Sequence, residues 1–345
     1  MPKSSKHQLP ALQEIADHVG VSPATVSRVL NNRKSVAEKT RRKVLDAIEQ
    51  VFHVQPPLDR MVGLIVPDAS NPFYSELVFR FERALEDQGL HLLSSSSERR
   101  SDRELLLVRR LSGLGMRGLI LITAGPSSES LRSLIASRRL PVVVCDRRVG
   151  AAASLDFVTV MSRQGMANAI EHLAAYGHRR IGFLCGPAVT ESARERLESF
   201  RAAMAAHAFA AEWIFDGDFS LTAGRACADQ LIELAPTNRP TAIVTANDLM
   251  AIGLMQHLQT RGWQLPRDLS VIGFDDIEWS EWTYPALTTL AQPLRRLVRE
   301  AVRLLVARIR EDEQEGAPRA APEIVELGTM LVPRASVAAP FDSAS

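Results

Sequence analysis

Residues 12–31, LQEIADHVGVSPATVSRVLN, decide how the N-terminal part of the chain is read. Leu12, Ile15, Ala16 and Val19 recur at i, i+3, i+4 and i+7, so they form one apolar face of a short helix that ends at Gly20. A second helix opens almost at once. Ser22 suits the N-cap, Pro23 the first helical position where its missing N–H costs nothing, and Val26, Val29 and Leu30 form the inward stripe. Further on, Ser35-Val36-Ala37-Glu38 reads as a capping box opening a third helix, with Val44, Leu45, Ile48 and Phe52 turned inward. Three short helices with a glycine corner between the first two describe a helix-turn-helix.

The outward side of the second helix carries the chemistry. Ser22, Pro23, Ala24, Thr25, Ser27, Arg28 and Asn31 lie at its start and along one side, and in such units the first turn of this helix enters the major groove of DNA. Arg28 can donate two hydrogen bonds to guanine O6 and N7, whereas Pro23 and Ala24 offer only apolar contact, for instance to a thymine methyl. Thr25, Ser27 and Asn31 suit phosphate oxygens, which fix register without reading sequence. Charge agrees. Residues 1–60 carry ten Lys/Arg against six Asp/Glu, while the chain as a whole has a net charge of only +1, so the positive excess sits where a polyanion would dock.

From Val62 onward, apolar runs of four to six residues alternate with amphipathic stretches: VGLIV, GLILI, PVVVC, RIGFLC, TAIVT and LSVIGFD. That alternation points to parallel sheets built from βαβ units, whose ligands bind beyond the carboxyl ends of the strands. Several runs end in polar residues: Asp68, Asp146, Asn247 with Asp248, and Asp275 with Asp276. Carboxylates and amides gathered at strand ends suit the hydroxyls of a sugar-like ligand.

The stretch LQEIADHVGVSPATVSRVLNNRKSVAEKTRRKVLDAIEQV closely resembles the DNA-binding headpiece of the lactose repressor/galactose repressor family. The resemblance implies base reading by Pro23, Ala24 and Arg28, and a homodimer on a pseudo-palindromic operator. It continues through GLIVPDASNPFYSEL, GHRRIGFLCGP, SARERLESF, TANDLMAIG, VIGFDD and PALTTLAQP. These resemble the family's two-lobed effector-binding core, itself similar to periplasmic sugar-binding proteins. Effector contacts are thereby implied at Phe73, Tyr74, Asp146, Ser192, Arg194, Phe219, Asn247 and Asp275. The chemistry suits a sugar or sugar acid, with Arg194 as a planar donor, Asp275 as an acceptor and Phe219 as an aromatic platform.

The expected fold is thus a three-helix headpiece plus a two-lobed, periplasmic-binding-protein-like α/β core with parallel sheets. The headpiece is expected over 1–54, a short linker over 55–61, the effector-binding and dimerisation core over 62–335, and a tail over 336–345. Lobe 1 would take about 62–160 and 293–325, and lobe 2 about 161–292 and 326–335. The family's Pro-Asn-x-x-Ala-Arg-x-Leu hinge is missing. Only Gln55 to Arg60 precede Met61, with Pro56-Pro57 among them, so a stiff extended tether is expected there in place of a hinge helix. Leu58 alone could imitate the family's wedging leucine. Two smaller departures are Met161-Ser162, where the family has Asp-Asn, and Ser199 in place of a glycine.

Other functions fare worse. Gly113-Leu114-Gly115-Met116-Arg117-Gly118 matches a dinucleotide fingerprint formally, but a helical stretch precedes it and a strand follows, the reverse of what pyrophosphate binding needs. No hydrolase motif, metal-ligand spacing or cofactor signature occurs, so an enzyme is not expected, nor a cofactor or metal. Cys145, Cys185 and Cys227 are scattered and read as reduced packing thiols. With no apolar leader and no run near the roughly 20 residues of a membrane span, a cytoplasmic protein without a membrane partner is expected. A sugar-binding module without an operator is the main alternative.

Overall fold

The computed structural model describes residues 12–30, 36–51, 60–125, 131, 133–134, 140–146, 155–313 and 320–341. The chain divides into two compact units, 1–57 and 58–345. In the first, α1 (Leu12–Val19), α2 (Pro23–Leu30) and α3 (Glu38–Val51) surround a small core of Ile15, Ala16, Val26, Val29 and Val44. Gly20 takes φ +72°, which turns the chain sharply between α1 and α2. Ser22 Oγ accepts from the Thr25 backbone N–H at 3.2 Å, the expected cap. Ser35, Phe52 and the expected tether from Gln55 to Asp59, with Leu58, lie outside the described residues.

The second unit runs β1 (Met61–Val66), α4 (Pro72–Glu86), β2 (His91–Ser96), α5 (Ser101–Gly113), β3 (Gly118–Leu121), β4 (Val142–Cys145) and β5 (Asp156–Met161). It continues with α6 (Ser162–Ala175), β6 (Ile181–Leu184), α7 (Glu191–Ala206), β7 (Ile214–Phe215), α8 (Leu221–Glu233), β8 (Ala242–Thr245), α9 (Asp248–Thr260) and β9 (Ser270–Asp275). The short helix α10 (Trp279–Trp282), β10 (Thr288–Ala291), α11 (Leu294–Glu313), β11 (Ile324–Gly328) and β12 (Met330–Val332) complete it. Each apolar run picked out from the sequence is a buried strand. They assemble into two six-stranded sheets, ordered β11-β5-β4-β3-β1-β2 and β12-β10-β9-β8-β6-β7. All pairings are parallel except β10 with β12.

Each sheet is the floor of one lobe with its own core. Phe81, Leu64 and Leu305 pack one face of the lobe 1 sheet, Leu119 and Val144 the other, and Phe183, Phe200 and Phe274 are buried in lobe 2. The chain passes between lobes three times, at Met161–Ser162, at Gln292–Pro293 and at Thr329. The third passage falls a few residues later than the sequence suggested, because Ile324–Gly328 stays in register with Phe157–Met161 before the chain leaves. The expected tail also starts too early. Ser336 and Val337 are buried, Val271 N–H donates to Ser336 O at 2.9 Å, and Thr288 N–H donates to Ser336 Oγ at 2.8 Å, so this segment belongs to lobe 2.

The formal dinucleotide fingerprint lies, as its flanks indicated, between the end of α5 and the start of β3. All three cysteines are buried, and burial pushes the Cys185 thiol up to about 11 and that of Cys227 to about 12, consistent with inert packing groups. Among the described residues no helix is long and apolar enough to cross a membrane, and no group of His, Cys, Asp or Glu is placed to hold a metal.

Candidate functional site

The strand ends of the two lobes face each other across a cavity of about 100 Å³. From lobe 1 come Asp68, Asn71, Phe73, Tyr74, Arg99 and Asp146. Asn71 caps α4 by accepting from Phe73 N–H at 3.0 Å, which fixes Phe73 and Tyr74 in the first turn, ring edge to ring face at 5.1 Å. Burial raises the Asp68 carboxyl, but hydrogen bonds from Ser70 and from the Arg99 guanidinium outweigh it and hold the group below the ordinary carboxylate range. Arg99 also reaches across, donating from Nη1 to Asp218 O of lobe 2 at 2.8 Å.

Lobe 2 supplies Thr190, Arg196, Phe219, Asn247 and Asp275, and the second crossover supplies Gln292. Asn247 caps α9 through Met250 N–H at 3.0 Å and donates to Phe219 O at 3.0 Å, so one amide orients both the helix and the aromatic residue. A side chain at Gly186 would collide with the Phe219 ring, which explains the glycine in FLCGP. Asp146, Phe219 and Asp275 have φ of +64°, +68° and +121°. Such strained backbone persists where surrounding structure enforces it, and here it falls on three residues that line the cleft.

Asp275 is the electrostatic centre of the cleft. Its Oδ1 accepts from Gln292 Nε2 at 2.7 Å and lies 3.7 Å from Arg196 Nη1. Desolvation outweighs the Arg196 charge and pushes the carboxyl up to about 8. Arg196 is itself buried; it donates to Ala246 O at 2.5 Å, and its guanidinium lies 3.7 Å from the Phe274 ring centroid. Arg196 Nε and Gln292 Oε1 are buried without a hydrogen-bond partner among the described residues. Asp248, next to Asn247, does not line the cleft. It accepts from Ile277 N–H and Thr289 Oγ1, and burial pushes it up to about 6.

Six of the eight residues expected to touch effector, Phe73, Tyr74, Asp146, Phe219, Asn247 and Asp275, line this cavity. The other two do not. Ser192 and Arg194 border an adjoining hollow with Glu191, Glu195, Glu198 and Glu326, reached past Asp146, and Arg194 is exposed. The arginine of the cleft is Arg196, from the same SARERLESF stretch. Along a helix two residues are about 200° apart and four about 40°, so once Ser192 and Ala193 face inward Arg196 follows and Arg194 turns out. Gln292, at the end of an apolar strand, carried no sequence signal beyond its place in PALTTLAQP.

In the headpiece, Ala24 and Arg28 are exposed and Ser27 half-buried on the side of α2 away from Val26 and Val29, and Pro23 and Thr25 are half-buried at the edges of that buried stripe. Ser22 and Thr25 hydroxyls lie 2.9 Å apart within the cap. Asn31 lies outside the described residues.

Residues 11–53 match the model for bacterial regulatory proteins of the lacI family, and residues 170–337 that for a periplasmic binding protein-like domain. The HTH-type transcriptional repressor PurR of Vibrio cholerae is 33% identical over 330 residues, which cover 92% of this chain and 97% of that protein. The chain belongs to the LacI family. It is a DNA-binding transcriptional repressor with a ligand-binding domain, and its relatives are repressors, not enzymes. Among solved LacI-family structures, the transcriptional regulator CelR in complex with cellobiose superposes with a TM-score of 0.73 at 28% identity, covering 95% of this chain and 100% of that one. The Lac repressor dimer bound to operator and the anti-inducer ONPF superposes with a TM-score of 0.71 at 26% identity, covering 96% and 100%.

Proposed function

We propose that this repressor works as a cytoplasmic homodimer on a pseudo-palindromic operator, and that a small polyol, a monosaccharide or sugar acid, sets its operator affinity. The observation that carries the ligand class is the trio at the cleft floor: an unpartnered donor on Arg196, an unpartnered acceptor on Gln292, and the Asp275 carboxyl between them. A hydroxyl both donates and accepts, so adjacent hydroxyls satisfy all three at once. Phe73, Tyr74 and Phe219 supply apolar cover for the faces of a sugar ring. The cavity, about 100 Å³, is well below the roughly 300–1,000 Å³ of pockets for drug-sized ligands, which favours one ring over a chain of them. The cellobiose in the CelR complex is likewise a sugar, of two rings where this cavity favours one.

Base reading rests on Arg28, with Pro23 and Ala24 beside it and Ser22, Thr25, Ser27 and Asn31 toward the phosphates. Titration calorimetry of the full chain against aldoses, their acids and free nucleobases tests the ligand class, and a gel shift on DNA selected from a random pool then reads the coupling. Heat from a polyol, lost in Gln292→Leu, is expected. A nucleobase that binds where no polyol does would overturn the assignment.

A further inference from the structure

Outside the cleft, α4 and α11 lie side by side in lobe 1 and frame a groove of about 780 Å³. Its floor is apolar: Val298 and Val302 are buried, Val306 is half-buried, and Phe79 stands 51% exposed at one side. Its walls are basic. Arg80, Arg83, Arg295, Arg299, Arg303 and Arg310 all line it, against the single carboxylate of Asp87. In a chain whose net charge is +1, that is a strong local concentration of one sign.

The guanidinium groups are only partly answered from within the fold. Arg80 meets Glu76 at 2.6 Å, while Arg299 and Arg303 share Glu300, and Arg303 also meets Glu323. Arg83 stacks 5.4 Å from the Phe79 ring centroid, and among the described residues Arg295 and Arg310 have no ion pair. Arg295 and Arg310 stand fifteen residues apart on α11, about 22 Å at 1.5 Å per residue, the length of four helical turns. A second copy of this chain meeting the groove face to face would set arginine against arginine. A nucleic acid backbone would answer the charge but leave the valine floor and Phe79 unused.

We propose that the α4–α11 groove docks an acidic amphipathic helix of a partner protein, whose apolar stripe lies on Val298, Val302 and Phe79 and whose carboxylates meet the arginines on either side. The site would give the repressor a second input. Pro72 opens α4 immediately before Phe73 and Tyr74 of the ligand cleft, and α11 begins two residues after Gln292. A helix braced across both would restrain the cleft from behind.

The probe is a fluorescein-labelled synthetic helix of about 16 residues with leucines at helical spacing flanked by glutamates, titrated by anisotropy with the full-length repressor. A saturable rise is expected. Arg295→Glu with Arg299→Glu, and separately Phe79→Ser, should each weaken it about tenfold or more, and so should replacing the peptide's glutamates by glutamine. Arg225→Glu, on an exposed face of lobe 2, should not. All these side chains are exposed, so the variants should melt as the parent does. Absence of a saturable rise, equal weakening by Arg225→Glu, or displacement of the peptide by random-sequence duplex DNA would overturn the proposal, the last in favour of a nucleic acid surface.

Discussion

Replacing Asp275 by asparagine should stabilise the repressor at neutral pH while weakening its hold on ligand. The folded chain holds this carboxyl at about 8, against an ordinary value of 3.8. At pH 7 folding therefore requires a proton that the unfolded chain has already released, and at about 1.4 kcal/mol per pH unit that costs about 4 kcal/mol. A raised folded value means that the stability present below pH 4 is lost progressively as pH rises toward 8, and an amide carries no such penalty. The new amide keeps an oxygen that can accept from Gln292 Nε2, so the packing of the crossover is retained. The gain should be near zero at pH 4 and grow to about 4 kcal/mol at pH 7, a rise in Tm on the order of 10 °C for a unit of this size. Asp248, pushed up to about 6, adds a slope of the same sign between pH 4 and 6, but in both proteins. Urea titrations of parent and variant at pH 4, 5.5 and 7 read the difference. A difference that does not change with pH, or a variant less stable at pH 7, would refute the desolvation argument. Ligand binding reads the other half: hydroxyls that donate to Asp275 favour its ionised form, so affinity in the parent should rise with pH and calorimetry should register proton release, both vanishing in the variant.

Three further outcomes are expected. Arg196→Met should lower affinity for the cleft ligand by roughly 10- to 150-fold, the 1.5–3 kcal/mol of a hydrogen bond to a charged group, whereas Arg194→Ala should change it little; equal losses measured by calorimetry would put both arginines on the ligand. Arg28→Ala should remove about 1–3 kcal/mol of binding to the selected operator, with a far smaller effect on random DNA in the same gel shift. Asp156 is buried, pairs bidentately with Arg308 at 2.6 and 2.8 Å, and accepts from Glu323 N–H at 2.8 Å; Asp156→Ala, which leaves Arg308 with Glu311 and two backbone carbonyls and loosens β11, should cost about 1.5–3 kcal/mol in urea.

Strands were legible because burial on both faces makes them continuous apolar runs, and with them the aspartates at their ends. The headpiece was legible because capping and periodicity agree over a few turns. What escaped was phase and partnership. Arg194 and Arg196 are chemically identical and close together in one motif, and only packing of α7 against its sheet decides which is inside. Asp68 and Asp248 both stand at strand ends, yet Asp68 lines the cleft paired with Arg99 while Asp248 turns away to brace Ile277 and Thr289. Gln292 matters because a crossover delivers it to Asp275, a long-range fact with no local pattern. The groove between α4 and α11 was likewise invisible, since its arginines lie on helices more than two hundred residues apart.

The left-handed backbone at Asp146, Phe219 and Asp275 bears on how such a sensor changes its taste. Few side chains tolerate that conformation, so these three positions are poor places to accept substitutions during divergence. Thr190, Arg196 and Gln292 sit on ordinary helical or extended backbone around the same cavity. New ligand preferences should therefore arise by exchange at those positions, with the strand-end residues passing nearly unchanged from one specificity to the next.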